Sequence, residues 1–95
     1  MLKISLVENR TRCFLVLEGK LVGPWAAELK GAYERVRADL QGRELVIEMK
    51  CITTISQEGE NVLLELMKEG VQFRGRDVFM KHVLKQLSRR ARRDL

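Results

Sequence analysis

Residues 43–70, RELVIEMKCITTISQEGENVLLELMKEG, decide how this chain folds. Leu45, Val46, Ile47 and Met49 make a nearly continuous apolar run, the composition of a strand buried on both faces of a parallel sheet. A short Thr/Ser-bearing segment, Lys50 to Ile55, follows and is expected as a loop. Ser56 then suits a helix N-cap, because its hydroxyl can accept a hydrogen bond from an otherwise unpaired amide. Val62, Leu63, Leu66 and Met67 recur at helical spacing and define the buried stripe of a helix that ends at Gly70. The start of that helix is a place where another chain or a ligand can reach exposed N-terminal amides.

The same reading extends outward. Leu2, Ile4 and Leu6 alternate with Lys3 and Ser5, the period-two pattern of a half-buried strand. Asn9-Arg10 reads as a hairpin turn, and Arg12 to Glu18 as a second strand whose middle is apolar on both faces. Gly19 to Gly23 reads as a loop, and Pro24 suits the first turn of a helix. That helix is expected to run to about Leu40, with Trp25, Ala26, Leu29, Ala32, Tyr33, Val36 and Leu40 on one stripe and Gly42 closing it. Trp25 and Tyr33 lie two turns apart on the stripe and read as core packing, not as a stacking pair for a ligand. Beyond Gly70, Val71 and Phe73 alternate with Gln72 and Arg74 as a short last strand. Asp77 caps a third helix, whose inward face is expected from Val78, Val83, Leu84, Leu87 and Ala91. The order is strand, strand, helix, strand, helix, strand, helix. Right-handed crossovers between parallel strands put both crossover helices on one face. The expected class is α/β, a four-stranded mixed sheet with about three helices.

Ninety-five residues make one domain, 1–95. A content of 45% hydrophobic and 33% charged residues excludes a chain disordered throughout. The longest apolar run, Cys13 to Leu17, is far too short for a bilayer, so no membrane span is expected. Met1-Leu2-Lys3-Ile4 begins strand-like alternation without the basic leader and apolar block of a signal peptide, and a cytoplasmic location is expected. Cys13 and Cys51 are expected as small core side chains kept reduced. No metal site or cofactor is expected, since a structural zinc takes about four ligands and the only histidine, His82, is distant in sequence. The net charge of +5 is uneven. Residues 1–67 carry nine Lys/Arg against ten Asp/Glu, whereas residues 68–95 carry nine Lys/Arg against Glu69, Asp77 and Asp94.

Several short segments together resemble one family. Leu17-Glu18-Gly19-Lys20-Leu21 resembles a strand ending in a leucine-x-glycine-x-leucine segment. Val46-Ile47-Glu48-Met49 resembles a central strand. Ile55-Ser56-Gln57-Glu58-Gly59 aligns with an isoleucine-aspartate-serine-serine-glycine loop, Val62-Leu63-Leu64-Glu65-Leu66 with the helix after it, and Gly70-Val71-Gln72-Phe73 with the next glycine and strand. These are segments of the STAS domain, the fold of bacterial anti-sigma-factor antagonists, and the resemblance spans almost the whole chain. It implies a single STAS-like domain that binds a protein partner, either an anti-sigma factor of serine-kinase type or another signalling protein. In that family the kinase phosphorylates a serine at the start of the second helix, and the phosphorylated form is released. Added charge there is tolerated by the helix but can repel a complementary partner surface.

This chain departs from the pattern at that position. The aligned residue is Glu58; Ser56 stands at the aspartate position, Gln57 at the neighbouring serine, and only Gly59 is retained. Phosphorylation cannot switch Glu58. Its carboxylate either imitates the phosphorylated state with one charge in place of about two, or simply sits where carboxylates favour a helix start. Ser56 is an alternative phosphoacceptor, against the plainer reading as a cap. The implied partner-binding surface comprises Thr53, Thr54, Ser56, Gln57, Glu58 and Gly59, the glycine allowing a close approach.

The basic C-terminal segment, residues 88–95 with the helix before it, gives a second reading. Lys81, Lys85, Arg89, Arg90, Arg92 and Arg93 form a patch able to meet nucleic-acid phosphates or an anionic surface. Cations also suit a helix C-terminus, and no aromatic residue is interleaved to stack on bases. An enzyme is not expected: Ser5, Ser56 and Ser88 lie in no GxSxG elbow, and no GxxxxGK[ST] loop precedes a helix. Catalytic residues are therefore assigned to none.

Overall fold

Two side-chain periods alternate along the chain, and the backbone follows them. The computed structural model describes residues 1–93. In chain order they form β1 (Leu2–Glu8), β2 (Arg12–Leu21), α1 (Pro24–Arg37), β3 (Glu44–Ile55), α2 (Gln57–Lys68), β4 (Gln72–Gly75) and α3 (Val78–Arg93). Residues 94 and 95, the end of the basic segment 88–95, lie outside the described residues. The strands lie in the order β1-β2-β3-β4. β1 is antiparallel to β2, and β3 runs parallel to both β2 and β4. This is the α/β class with a four-stranded mixed sheet and three helices that the pattern predicts.

The β1–β2 hairpin closes on Asn9, whose side-chain oxygen accepts the amides of Thr11 (2.9 Å) and Arg12 (2.8 Å). An Asx turn thus does the work that an Asn-Gly pair does in other hairpins. Leu15, Leu17, Ile47 and Met49 project from one sheet face and pack with Leu29 of α1, Leu63 and Leu66 of α2 and Met80 of α3. Tyr33 is buried in this core, and Trp25 packs half-buried against it. The Tyr33 hydroxyl reaches Glu69 at 3.2 Å, which the Arg37 guanidinium also meets at 3.2 Å. Burial, then the Glu69 carboxylate, push the Tyr33 hydroxyl above its ordinary pKa. The opposite sheet face is not lined by helices among the described residues. It carries Glu18 between Lys3 (4.0 Å) and Lys50 (3.7 Å), Arg76 on Glu48 (3.4 Å), and Arg74 over the Phe14 ring (5.5 Å).

The structure revises four expectations. Gly19 to Leu21 and Lys50 to Ile55 are not loops: they pair as strand, with Lys20 opposite Thr54 and Leu21 opposite Ile55. Register shifts at Leu17/Glu18 and Gly19/Lys20 accompany the extension. The first leaves Lys50 without a partner, so the alternation slips by one residue. Cys51 therefore turns out to solvent, while Cys13 remains in the core as expected. α1 stops at Arg37, short of Leu40: the Asp39 amide turns back to the Val36 carbonyl (3.1 Å) in a tightened last turn, and Gln41 (φ 53°) and Gly42 (φ 84°) then take left-handed backbone. The Arg43 side chain then caps this turn, donating to the carbonyls of Leu40 (2.9 Å) and Asp39 (3.2 Å). Finally, α3 buries Met80, Leu84, Leu87 and Ala91, and Val78 is 83% exposed. The inward stripe runs from Met80, so Val78 falls two residues, or more than half a turn, off it.

Candidate functional site

Three chain ends converge beside the start of α2: the last residues of β3, the first turn of α2 and the first turn of α3. Ser56 joins the first two. Its amide donates to the Leu21 carbonyl (3.0 Å), and its hydroxyl oxygen accepts the amides of Gly59 (3.3 Å) and Gly23 (3.4 Å). It is the expected N-cap of α2, and it also fastens the entry of α1. A hydroxyl so occupied is half-buried, and it acts first as a structural junction.

Glu58 stands exposed one residue before Gly59. The Ser56 hydroxyl and its own backbone amide hold the Glu58 carboxyl below the usual carboxylate range. One of the helix-start amides, that of Gly59, thus already has an acceptor within the chain, the Ser56 hydroxyl. The open set of amides expected there is partly filled, and a fixed negative charge takes its place. Gln57 is also exposed and bonds Asn61 at 3.0 Å. Gly59, in contrast, is buried. A β-carbon there would run into the Leu21 carbonyl oxygen and crowd the Leu21 and Ile55 side chains. The close approach it permits is α2 against the end of β2, not a partner against α2.

Thr53 and Thr54 lie exposed near the end of β3, and Thr53 donates to the Gly19 carbonyl at 3.3 Å. Alongside them runs a groove of about 200 Å³ bounded by Ile52, Ile55, Glu60, Phe79 and Val83. Phe79 is 64% exposed and Val78 beside it 83%, and with Met1 they are the most exposed large apolar side chains described. Two large apolar side chains thus stand in water beside the polar rim of this groove. Glu60 on the rim pairs with Arg90 of α3 at 2.7 Å, an exposed ion pair between the two helices. The sequence reading placed Val78 on the inward face of α3 and did not single out Phe79. The available signal was the stripe of Met80, Leu84, Leu87 and Ala91, which leaves both residues outside it.

The basic patch is on the outward side of α3. Lys81, Lys85, Arg89, Arg92 and Arg93 are exposed, and Arg90 is committed to Glu60. The patch thus reaches the candidate groove through Arg90 and leads away from it along the helix. Among the described residues, no three of His, Cys, Asp and Glu gather as metal ligands, and no helix is long and apolar enough to cross a membrane. Chemically, the groove of Thr53, Thr54, Glu60 and Phe79, with Val78 next to Phe79, suits recognition by an apolar anchor with hydroxyl and carboxylate groups around it, whereas Gln57 and Glu58 stand exposed on the first turn of α2 outside its lining. Neither the models of known protein families nor the curated proteins give a match to this chain.

Proposed function

We propose that this chain is a non-catalytic protein-interaction module of the STAS type, resembling an anti-sigma-factor antagonist whose usual phosphoacceptor position is occupied by Glu58. The observation that carries the reading is the exposed pair Val78 and Phe79 at the groove that Thr53, Thr54 and Glu60, in the first turn of α2, line. Its partner, a kinase-like anti-sigma factor or another signalling protein, would bury the apolar pair and read the polar groups of Thr53, Thr54, Gln57 and Glu58. Because Glu58 keeps its charge permanently, modification at that position cannot govern the contact. Ser56 remains an alternative acceptor of phosphate, at the cost of the Gly23 and Gly59 hydrogen bonds.

The test is capture from host lysate on wild type, Glu58→Ser, Glu58→Lys and Phe79→Ser, read by mass spectrometry. A kinase-fold anti-sigma factor held far better by Glu58→Ser than by wild type, and lost with Phe79→Ser, supports the reading. Equal capture of the same proteins by all four baits refutes it.

The exposed cations of α3 favour one other reading, a nucleic-acid or anionic-surface contact. Steeply salt-dependent DNA binding that disappears in Arg89→Gln/Arg92→Gln/Arg93→Gln would support it. Truncation after Leu87 is unsuitable, because it also removes buried Ala91 and the Arg90–Glu60 pair.

A further inference from the structure

β1 ends the sheet on one side, and its free edge is unusually complete. The Lys20 amide donates to the Met1 carbonyl (3.0 Å) and the Asn9 amide to the Arg12 carbonyl (2.9 Å). These bonds belong to the same register that sets Leu2 opposite Gly19 and Glu8 opposite Cys13. In an antiparallel ladder, backbone groups point alternately toward and away from the neighbouring strand. The odd-numbered residues of β1 therefore bond β2, and Leu2, Ile4, Leu6 and Glu8 turn their amides and carbonyls outward. The other edge, β4, spans four residues against seven in β1.

Natural edges are usually blunted by bulges, prolines or charge. This one has no proline, pairs in unbroken register and carries charge only at Lys3 and Glu8 near its two ends, and it exposes apolar side chains toward both faces, Leu6 at 47% and Val7 at 53%. Beside it, between β1 and α1, lies a groove of about 450 Å³ lined by Ile4, Leu6 and Val36 together with Glu28, Arg35 and Asp39.

We propose that β1 is a self-association edge, at which two copies of this chain pair antiparallel through β1 into one continuous eight-stranded sheet. The register follows from the outward groups. A two-fold axis beside Ser5 sets Ile4 opposite Leu6 of the second copy and Leu2 opposite its Glu8. Every outward amide and carbonyl from Leu2 to Glu8 then gains a partner. The two grooves meet on the helical side, with Ile4 and Leu6 of each copy forming one apolar strip. Each groove carries Glu28 and Asp39 with Arg35, so the antiparallel approach offers each Arg35 a carboxylate of the other copy. The surface is thereby complementary to itself in backbone pattern, apolarity and charge, as an isologous dimer contact requires. This inference stands apart from the proposed partner site.

The register makes a sharp test. Ser5 would face Ser5 of the second copy at a non-hydrogen-bonded pair, with Cα atoms about 4.5 Å apart, within reach of a disulfide. Lys3 would lie about 13 Å from its equivalent, four strand residues away. In a Cys51→Ser background, Ser5→Cys should cross-link into a dimer under mild oxidation, at least tenfold faster than Lys3→Cys. Sedimentation of the wild type should give twice the chain mass of 11.0 kDa. Leu6→Lys, at an exposed position, should return it to monomer with an unchanged circular-dichroism spectrum. A wild type that stays at 11.0 kDa up to millimolar concentration overturns the proposal, as do equal cross-linking rates for the two cysteine variants.

Discussion

Replacing Ser56 with alanine tests whether one hydroxyl holds together the start of α2 and the start of α1. The hydroxyl oxygen accepts the Gly59 amide at 3.3 Å and the Gly23 amide at 3.4 Å. Loss of an N-cap side chain costs about 0.5–2 kcal/mol, and the length of the Gly59 bond argues for about 1. The Gly23 amide then loses its acceptor in a half-buried place, which adds up to about 1 kcal/mol. The expected destabilisation is therefore about 1–2 kcal/mol, a substantial part of the roughly 5–10 kcal/mol that holds a domain of this size. In a domain this small, each kcal/mol moves Tm by about 4–8 °C. Calorimetry should accordingly show Ser56→Ala melting about 5–15 °C below wild type, with urea titrations giving the same free energy at an unchanged m-value.

Ser56→Asp separates the cap from generic damage at this position. An aspartate oxygen can accept both amides, so this variant should recover more than half of the loss, although its charge lies close to Glu58. If Ser56→Ala melts within 1 °C of wild type, the hydroxyl carries neither end. If Ser56→Asp is the less stable of the two, the acceptor role assigned to Ser56 is wrong.

Three further outcomes follow from the same geometry. The Glu58 carboxyl should titrate below its ordinary value of 4.5 in carbon-detected NMR and move back toward it in Ser56→Ala. Because its folded pKa is depressed, its contribution to stability is present above 4.5 and fades as pH falls through the folded value, so Glu58→Gln should flatten that part of the stability profile. Gly59→Ala places a β-carbon against the Leu21 carbonyl and should cost about 1–3 kcal/mol by urea unfolding, the range for overpacking. Arg90→Ala removes the 2.7 Å contact with Glu60, but an ion pair this exposed should change stability by only about 0.2–1 kcal/mol, so a larger loss in thermal melts would mean the pair is buried in solution.

Much of this architecture is written in local pattern. The period-two segment of β1 and the stripes of α1 and α2 each come from side chains whose fate is set by burial on one face, and the apolar middle of β2 from a strand inside the sheet. The cap at Ser56 was equally legible, because a hydroxyl before an apolar helix has few other uses. What escaped was decided by contacts between segments distant in sequence. The extension of β3 to Ile55 depends on Leu21 being there to pair with it, and nothing in Thr53-Thr54-Ile55 announces that. The role of Gly59 is of the same kind, since the atom that forbids a side chain belongs to Leu21. Arg43 could be counted as a charge, but not foreseen as the cap of the turn after α1. The phase of α3 was misjudged for a different reason. Both Val78 and Met80 are apolar, and only the positions of Leu84, Leu87 and Ala91 decide which of the two faces inward.

The two surfaces left apolar lie on opposite sides of the sheet order. β1 forms one end of it, whereas α3, which carries Val78 and Phe79, packs on α2 and on β4 at the other. Occupation of one need not obstruct the other. A dimer joined through β1 would hold two start-of-α2 sites, one at the end of β3 in each copy, and would therefore meet a dimeric partner at two points. Linked contacts of that kind strengthen through effective concentration without any new interaction, provided the geometry lets both engage. Leu6→Lys then becomes informative beyond oligomeric state. If the partner is itself dimeric, this substitution should weaken capture although it lies far from Phe79. If the partner is a monomer, capture should be unchanged while the particle mass halves.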